Sequence, residues 1–595
     1  MKRRLPMQSE IEFAALDPKR IHMESARKQA LDQGRTRLLV TGVMFALAFM
    51  VLGARLIELT RHGKDGAPKW QAMASSKIET PVVSRGDVRD RNGYILATSL
   101  PTQSLYVDSR EAKQSTVPSE AADKILSVLP DLQRTVLIKK INSGGRFVWL
   151  ARNLTPDQVW DLNRLGLPGF GFRREEKRVY HYGPTFAHIL GYTDVDGRGI
   201  AGVERTFEGR LGNQGANIEL SIDMRVQTIL HEELAKAKDR FSARGAAGVV
   251  MDVRSGEILA MVSLPDFDPN QPAKSLGDSG FNRVTKGVYE MGSTFKLFTT
   301  AMALDTGTVG LSDGYDASDP IRIARFTIND YHGKKRWLSV PEILIYSSNI
   351  GTAKMALDVG TQKQKEYLAR FGLLGASDVE LPEVGSPLYP ARWGEISTMT
   401  ISYGHGIAVS PLQVAAGVSA LVNGGIMLPP TLVKQTPNSL PRGERVLQAK
   451  TSQAMRALMR LVVRDGSGKK AEVQGYLVGG KTGSADKPAG GRYDTKAIIS
   501  SFVGAFPMTD PRYVVLAMVD EPKGIKETFG FATGGWVAAP VVKGVIERMG
   551  PLYGMISDDR GVEAEDEPDH PLYVPAVSAP KRSASAGGSV RNASY

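Results

Sequence analysis

The sequence predicts an α+β protein with one membrane-spanning helix near its start and two folded domains after that helix. Three observations support this prediction: an uncharged apolar run at residues 38–54, a strand–turn–strand pattern at residues 245–264, and further strand patterns between residues 476 and 520. A chain of 595 residues is too long for one hydrophobic core. Hydrophobic residues make up 42% of the chain and charged residues 23%, which is typical of a globular protein rather than a disordered one.

The composition excludes several classes of chemistry. The chain has no cysteine, so disulfides, thiolate catalysis and cysteine-ligated metals are ruled out. The net charge of +12 allows binding to anionic lipid, anionic polymer or nucleic acid. Because the basic residues are scattered and neither a phosphate-binding loop nor a zinc knuckle occurs, we expect no nucleic-acid partner.

The first predicted element is a membrane anchor. Leu38–Ala54 carries no charge, and roughly 17 to 25 residues suffice to cross a bilayer, so we predict a spanning helix over residues 38–59. Lysines and arginines precede this run, which places residues 1–37 in the cytoplasm as a leader and exports everything after the helix. In a bacterium the exported part faces the periplasm. The alternative is a cleaved signal peptide, but the preceding segment is long and the exit lacks a good small-x-small cleavage site.

Residues 60–240 are predicted to form a mixed, strand-rich domain. The pair Asn92-Gly93 predicts a two-residue hairpin turn. Met224–Arg240 carries apolar residues on one face at helical spacing, which is typical of an amphipathic helix.

Residues 241–555 are predicted to form a second domain with an antiparallel sheet and an inserted helical subdomain. The strand patterns lie at residues 249–253, 258–262, 476–484, 497–506 and 513–520. Because they occur at both ends of the domain, the sheet is expected to join the two ends, with a final helix at residues 538–548. After residue 556 the composition shifts to Asp, Glu, Ser, Ala, Gly and Pro, which predicts a disordered tail over residues 556–595.

The first candidate for chemistry is the pair Ser293 and Lys296. Residues three apart share one face of a helix, so the amine can lie against the hydroxyl. Apolar neighbours would desolvate the amine and lower its pKa, and a neutral amine can accept the serine proton. A helix start also supplies N–H groups for an oxyanion. The same spacing occurs by chance elsewhere, and only the helix-start context and the motifs downstream distinguish this pair. The other occurrences are Ser25/Lys28, Ser467/Lys470, Ser484/Lys487 and Ser578/Lys581.

Two further motifs follow downstream. Ser347-Ser348-Asn349 lies in a break between two helical patterns, where a hydroxyl and an amide can face one cleft; a helix N-cap is the alternative interpretation. Lys481-Thr482-Gly483-Ser484 ends a strand pattern, where a strand edge can bind an extended peptide and Gly483 would leave room for its approach. Lys481 with Thr482 suits a carboxylate. An ordinary glycine-containing strand end is the alternative here.

Taken together, the three motifs match the serine penicillin-binding set Ser-x-x-Lys, Ser-x-Asn and Lys-Thr-Gly in the expected order. Residues 245–550 resemble the transpeptidase domain of penicillin-binding proteins through GVYEMGSTFK, IYSSNIGTAKMA and GGKTGSA. SRGDVRDRNG (84–93) and GIAGVER (199–205) resemble the pedestal of the class B members, and the whole is most similar to the cell-division type. The chain departs from the family pattern at Met291, where proline is usual, and at Ser484, where threonine is common.

The resemblance implies a peptidoglycan D,D-transpeptidase. Lys296 would deprotonate Ser293, which attacks the carbonyl between the two terminal D-alanines of a stem peptide. The oxyanion would lie between the backbone N–H groups of Ser293 and Ser484. Ser347, linked to Lys296 and Lys481, would pass a proton to the leaving D-alanine. Substrate binding would fall to Asn349, Thr482, Gly483 and Ser484. An amine of a neighbouring strand would resolve the acyl-enzyme, and no metal or organic cofactor is needed.

The resemblance also implies partners and a place in the cell. The partners would be lipid-linked precursor strands, β-lactams as inhibitors, a SEDS-type glycosyltransferase (FtsW-like) and other divisome membrane proteins at the septum of the inner membrane. Four alternatives remain: an elongation-type class B transpeptidase, a β-lactamase, a penicillin-binding sensor receptor and an inactive scaffold. The anchor and long pedestal argue against the β-lactamase, a single span argues against the receptor, and the intact motif set argues against the scaffold. The choice of a division role over an elongation role rests only on sequence segments such as VYEMGSTFK.

Overall fold

The computed structural model describes residues 18–62, 84–274, 277–323, 326–436, 438, 441–489, 492–555 and 570–575. The chain separates into two units, residues 1–82 and 83–595. Most of the predicted tail, the first 17 residues of the predicted leader and the start of the predicted pedestal, residues 63–83, lie outside the described residues.

The first unit contains one long helix, α1 (Pro18–His62). Its 26-residue segment Gln33–Glu58 is long and apolar enough to cross a membrane. A signal sequence near the N-terminus would meet the same criteria of length and composition. The predicted span over residues 38–59 lies within α1, and the helix continues beyond it at both ends. Arg55 and Glu58 form an exposed ion pair of 2.6 Å one helical turn apart.

The second unit contains the other helices and strands of the described residues. The helices are α2 (Ser109–Ser115), α3 (Pro118–Val128), α4 (Arg134–Ile141), α5 (Pro156–Arg164), α6 (Ala187–Leu190), α7 (Gly202–Thr206), α8 (Met224–Arg240), α9 (Phe295–Asp305), α10 (Val340–Ile345), α11 (Asn349–Val359), α12 (Thr361–Arg370), α13 (Glu395–Ser402), α14 (Pro411–Val422), α15 (Ala449–Arg464) and α16 (Ala538–Leu552). The strands are β1 (Val88–Arg89), β2 (Ile95–Val107), β3 (Val148–Leu154), β4 (Phe170–Tyr180), β5 (Ile218–Glu219), β6 (Gly245–Asp252), β7 (Ile258–Leu264), β8 (Gly314–Asp316), β9 (Ile321–Ile323), β10 (Phe326–Ile328), β11 (Trp337–Ser339), β12 (Ile426–Met427), β13 (Glu444–Arg445), β14 (Gly479–Ala489), β15 (Arg492–Phe506) and β16 (Tyr513–Asp520).

The pedestal is built on a five-stranded sheet in which β2 is central. Strands β1, β3 and β4 pair with β2 in antiparallel fashion, and β5 pairs with β1 in parallel. Helices α2 to α5 lie between β2 and β4 in sequence and share a hydrophobic core with β2 and β3. The predicted hairpin joins β1 to β2, but its loop, residues 90–94, has five residues rather than two. The reason is Asp90, whose carboxylate accepts the N–H groups of Asn92 (2.8 Å) and Tyr94 (2.9 Å) and so fixes a wider turn.

A buried ion-pair cluster connects distant parts of the pedestal. The Glu204 side chain is fully buried, and its carboxylate accepts one hydrogen bond from Arg85 Nε and one from Arg178 Nε, each at 2.7 Å. Arg85 also donates to Glu208 Oε2 at 2.8 Å. Arg85 lies in the phrase SRGDVRDRNG and Glu204 in GIAGVER, so the two phrases that mark the pedestal in the sequence meet at this cluster.

The second sheet confirms the prediction that both ends of the domain contribute strands. Its order is β14-β15-β16-β6-β7, and every neighbouring pair is antiparallel. The predicted turn at residues 254–257 joins β6 to β7. The strand predicted at residues 476–484 begins three residues later and extends to Ala489. Strand β14 lies at the edge of the sheet, beside the helical insertion.

Both faces of this sheet are covered. Alternate residues such as Val250, Val515 and Ala517 pack with the buried faces of α8 and α16. The residues between them, such as Val249 and Leu516, belong to the core that contains the buried residues of α14 and α15. Burial on both faces explains why β6 and β16 are nearly continuous apolar runs rather than alternating ones.

Replacing Glu204 by alanine is expected to destabilise the pedestal by about 3–5 kcal/mol, because two buried guanidinium groups would lose their shared carboxylate. The measurement is denaturant unfolding of the detergent-solubilised protein, followed by tryptophan fluorescence. Asp123→Ala is the matched control, since Asp123 pairs with Arg134 on the surface and its loss should leave the midpoint nearly unchanged. Equal shifts for the two variants would contradict the assigned role of Glu204.

Candidate active site

Ser293 lies on a single 3₁₀ turn, Gly292–Thr294, directly before α9. Ser293 therefore lies on the turn that leads into the α-helix, and the helix itself begins at Phe295. Gly292 has a φ of +55°, and a Cβ there would lie 2.6 Å from the carbonyl oxygen of Ser484. The turn is closed by Thr294 Oγ1, which donates to the Met291 carbonyl at 2.9 Å. A glycine at 292 thus lets the backbone of the nucleophile turn lie directly against β14.

Lys296 lies in the first turn of α9 and is fully buried. Its Nζ donates to the Ser347 carbonyl at 2.5 Å and to Ser347 Oγ at 3.0 Å. Within the described residues, no hydrogen bond joins this amine to the Ser293 hydroxyl. Ser347 thus takes the contact that the sequence predicts for Ser293.

The two buried lysines have unusual protonation. Burial, and then the charge of Lys481, hold the pKa of the Lys296 amine well below its usual value of 10.5, while Asp330 acts in the opposite direction. Burial lowers the pKa of Lys481 to about 7. Both effects follow from the cost of placing an ammonium in a dry environment, and for Lys296 the nearby charge of Lys481 adds to that cost. The lowered pKa favours the neutral form of the Lys296 amine, which is able to accept a proton.

Ser347 contacts both lysines, a link that the family resemblance implies. Its Oγ accepts Lys296 Nζ at 3.0 Å and Lys481 Nζ at 3.1 Å. Ser347 is a non-glycine residue with a φ of +55°, a strained conformation that is concentrated at functional sites. The alternative interpretation, a helix N-cap, applies to the next residue instead: Ser348 Oγ accepts Gly351 N–H at the start of α11.

Asn349 is half-buried, and its side chain lies close to a residue that the sequence analysis missed. Its Nδ2 donates to the Asn329 carbonyl at 2.9 Å, and its backbone N–H donates to Asp330 Oδ1 at 2.6 Å. Asp330 also accepts Ile350 N–H and the Ser348 hydroxyl, so it holds the whole start of α11. No spacing rule links a loop aspartate to a motif 17 residues later, so Asp330 was not identifiable from sequence.

The Lys-Thr-Gly segment lies on β14, next to the nucleophile turn. Thr482 Oγ1 lies 2.7 Å from Ser467 Oγ, and Ser484 Oγ accepts Gly534 N–H at 3.0 Å. A Cβ on Gly483 would lie 2.4 Å from both the Met291 carbonyl and Ser501 Oγ. Gly483 therefore makes room for the protein's own backbone, whereas the sequence analysis assigned that room to an incoming peptide.

The structure also distinguishes the Ser293/Lys296 pair from two of the other Ser-x-x-Lys pairs. Lys470, three residues after Ser467, places its Nζ 4.0 Å from the ring centre of Trp536. Lys487, three residues after Ser484, forms ion pairs with Asp520 and Glu521. Among the described residues, neither lysine amine forms a hydrogen bond with the serine three residues before it.

No group of three or more His, Asp or Glu side chains in the described part of the chain is placed to hold a metal ion.

Comparison with known proteins identifies two domains in the region after α1. Residues 246–547 match the penicillin binding protein transpeptidase domain, and residues 80–223 match the penicillin-binding protein dimerisation domain. The chain is 41% identical over 549 residues to the probable peptidoglycan D,D-transpeptidase FtsI of Caulobacter vibrioides, with 89% of this chain and 91% of that one covered. It is 32% identical over 539 residues to the peptidoglycan D,D-transpeptidase FtsI of Escherichia coli, covering 85% and 90% of the two chains. The crystal structure of penicillin binding protein 3 from Mycobacterium tuberculosis, complexed with aztreonam, shares the fold with a TM-score of 0.64 at 22% identity, over 83% of this chain and 99% of that one.

Proposed function

The chain belongs to the class B penicillin-binding proteins, and on that premise we propose that it is a D,D-transpeptidase that cross-links peptidoglycan stem peptides through an acyl-enzyme on Ser293. The observation that carries this proposal is the position of Ser347 Oγ, 3.0 Å from one buried lysine amine and 3.1 Å from another. A hydroxyl held between two such amines can receive and release a proton without a metal or an organic cofactor.

The acylation step uses the neutral amine of Lys296 as the base. The amine takes the proton of the Ser293 hydroxyl as Oγ bonds to the carbonyl carbon between the two terminal D-alanines of the donor. The oxyanion that forms is stabilised by the backbone N–H groups of Ser293 and Ser484. The position of a Cβ on Gly292 is only 3.3 Å from Ser484 N, which supports this pairing of the turn with β14.

Collapse of the tetrahedral intermediate breaks the peptide C–N bond. The proton taken from Ser293 passes from Lys296 through Ser347 Oγ to the departing D-alanine amine, and Lys481 holds the Ser347 hydroxyl in place. The terminal carboxylate of the donor binds at the hydroxyls of Thr482 and Ser484, and Asn349 holds the stem-peptide amide. A neutral amine of a second strand then attacks the ester carbonyl, forms the cross-link and returns the proton to Ser293.

The same premise supports a role in septal wall synthesis. Helix α1 would anchor the protein in the inner membrane with its N-terminus in the cytoplasm and its catalytic domain in the periplasm. The two relatives compared above carry the name FtsI. A SEDS-type glycosyltransferase and other divisome membrane proteins would be the partners, because the chain resembles a transpeptidase without a polymerising domain. An elongation-type transpeptidase is the second candidate.

Ser293→Ala is expected to abolish labelling by a fluorescent penicillin, because the substitution removes the hydroxyl that forms the acyl bond. Peptide mass mapping of the labelled wild type should find the adduct on Ser293. Ser127→Ala, an exposed serine of α3, and Ser467→Ala, a chance Ser-x-x-Lys serine, should still be labelled. Label retained by the Ser293→Ala protein would exclude the assigned nucleophile.

The rate constant of acylation is expected to reach its plateau at a pH well below 10.5, the usual pKa of a lysine. The pKa of Lys296 is lowered well below that value, so the amine loses its proton earlier in a rising pH series, and a fall of pH through the lowered pKa removes the base. A lysine of ordinary pKa would instead give a roughly tenfold rise per pH unit up to about pH 10. Stopped-flow labelling with penicillin across such a pH series, corrected for hydrolysis of the reagent, makes the measurement. A rise that continues to pH 10 would contradict the assignment of Lys296 as the neutral base.

A fluorescent fusion of the full chain is expected to concentrate at the division site in living cells. A fusion that carries Ser293→Ala is the matched control. It should concentrate at the same place, because localisation through the anchor and pedestal does not require turnover. Co-purification of a SEDS-type glycosyltransferase from the same cells would support the partner assignment. A uniform distribution along the lateral wall would favour the elongation role.

A further inference from the structure

The loop between β10 and β11, residues 329–336, lies against the Ser-x-Asn motif, and the proposed mechanism assigns it no contact with substrate. Asp330 fixes one end of this loop by accepting two backbone N–H groups and one hydroxyl from the start of α11. Asn349 Nδ2 donates to the Asn329 carbonyl at 2.9 Å. The position of the loop is therefore set by the same motif that contains Ser347.

The rest of this loop is positively charged. It includes Lys334, Lys335 and Arg336, all exposed, and no further aspartate or glutamate. Lys334 Nζ lies 4.6 Å from the ring centre of Tyr346, which is the residue directly before Ser347. The loop thus brings an ammonium group to the residue that adjoins the serine between the two buried lysines.

Two of these charges have no counter-ion among the described residues. Arg336 is neutralised by Glu342, with N–O distances of 2.7 and 3.1 Å. Lys334 and Lys335 form no ion pair within the described part of the chain. The Asp330 carboxylate is already occupied by its three donors. Lys335 has a φ of +52°, a costly backbone conformation that is concentrated at functional sites. Both ammonium groups are therefore free to bind an anionic ligand.

The two half-reactions indicate which ligand arrives beside this loop. In the proposed mechanism the D-alanine amine leaves the donor next to the Ser347 hydroxyl. Attack by an acceptor amine reverses that step with a different amine, so by microscopic reversibility the acceptor approaches the ester carbonyl over the same hydroxyl. The rest of the acceptor then extends outward past Ser347. The 329–336 loop borders this route, because it contacts both Tyr346 and Asn349.

We propose that Lys334 and Lys335 form an acceptor subsite, which binds a carboxylate of the incoming stem peptide and so brings its neutral amine to the acyl-enzyme on Ser293. An acceptor that is not yet cross-linked carries such a carboxylate at its free C-terminus. The new C–N bond forms as the bond from carbonyl carbon to Ser293 Oγ breaks, and the amine proton returns to that oxygen. The inference rests on the proposed function, since it assumes this acyl-enzyme, and it adds a selection for anionic acceptors that the three motifs do not contain.

The test measures how the acyl-enzyme divides between water and an added amine. The donor is a thioester, whose thiol leaves when Ser293 is acylated, and the acceptors are triglycine and triglycinamide. These amines differ by one terminal charge, which an extended tripeptide places roughly 10 Å from the amine. The ratio of transfer product to hydrolysis product is measured on the full chain in detergent, at equal concentrations of neutral amine. For the wild type this ratio should be about threefold higher with triglycine, as expected for exposed ion pairs.

Substitutions at the two lysines should remove this preference. Lys334→Gln combined with Lys335→Gln should bring the triglycine and triglycinamide ratios to about the same value, whereas arginine at both positions keeps the charges and should keep the preference. Lys124→Gln, which removes an exposed lysine of α3, is the matched control and should behave as the wild type. Equal ratios for the two acceptors in the wild type, or an undiminished preference in the double glutamine variant, would overturn the proposal.

The two acceptors also separate the subsite from the proposed function. Because hydrolysis of the same acyl-enzyme is the reference, general damage to the site changes both ratios alike and leaves the preference intact. Transfer to neither acceptor by the wild type would overturn the proposed function, and the subsite with it. Transfer to both acceptors without a preference would overturn the subsite alone.

Discussion

The structure of this site depends on the burial of two lysine amines against one serine hydroxyl. An ammonium in a dry interior is costly, and two adjacent ones are more so, which lowers the pKa of Lys296 well below its usual value and favours the neutral amine. The surrounding elements maintain this arrangement. Helix α9 carries Lys296, edge strand β14 carries Lys481, and the break between α10 and α11 holds Ser347 in a strained backbone conformation between them. Asp330 fixes that break by accepting three donors at the start of α11.

Close backbone contact is the second condition for the site. Gly292 faces Ser484 and Gly483 faces Met291, so that the turn and the strand touch through main-chain atoms on both sides. Any side chain at either glycine would push Ser293 away from the strand that, in the proposed mechanism, supplies the other oxyanion donor. The small residues in GSTFK and GGKTGSA are therefore explained by packing inside the protein before any substrate arrives.

Much of this architecture could be predicted from sequence, because it depends on local patterns. The span inside α1, the helix Met224–Arg240 and the strand Tyr513–Asp520 all follow from periodicity and match the structure closely. Contacts between distant segments were harder to predict. The contact of Lys296 with Ser293, one turn away, was expected from spacing and is not among the hydrogen bonds of the described residues. Its contact with Ser347, which only the family resemblance implied, is formed by tertiary packing. The contacts of Asp330, the turn widened by Asp90 and the buried Glu290 oxygen that has no partner among the described residues likewise depend on which segments meet in three dimensions, and no spacing rule predicts that.

The order of strands in the second sheet has a consequence for biogenesis. Val249 of β6 pairs with Leu516 of β16, two positions separated by 267 residues (516 − 249). Closing a loop of that length costs about 5 kcal/mol in chain entropy. At a synthesis rate of roughly 5–20 residues per second, the apolar β6–β7 hairpin waits between about 13 and 53 s for its neighbour. Until β16 has been made, one edge of this hairpin stays uncovered, so the hairpin is a segment that a chaperone would need to protect from pairing with another strand.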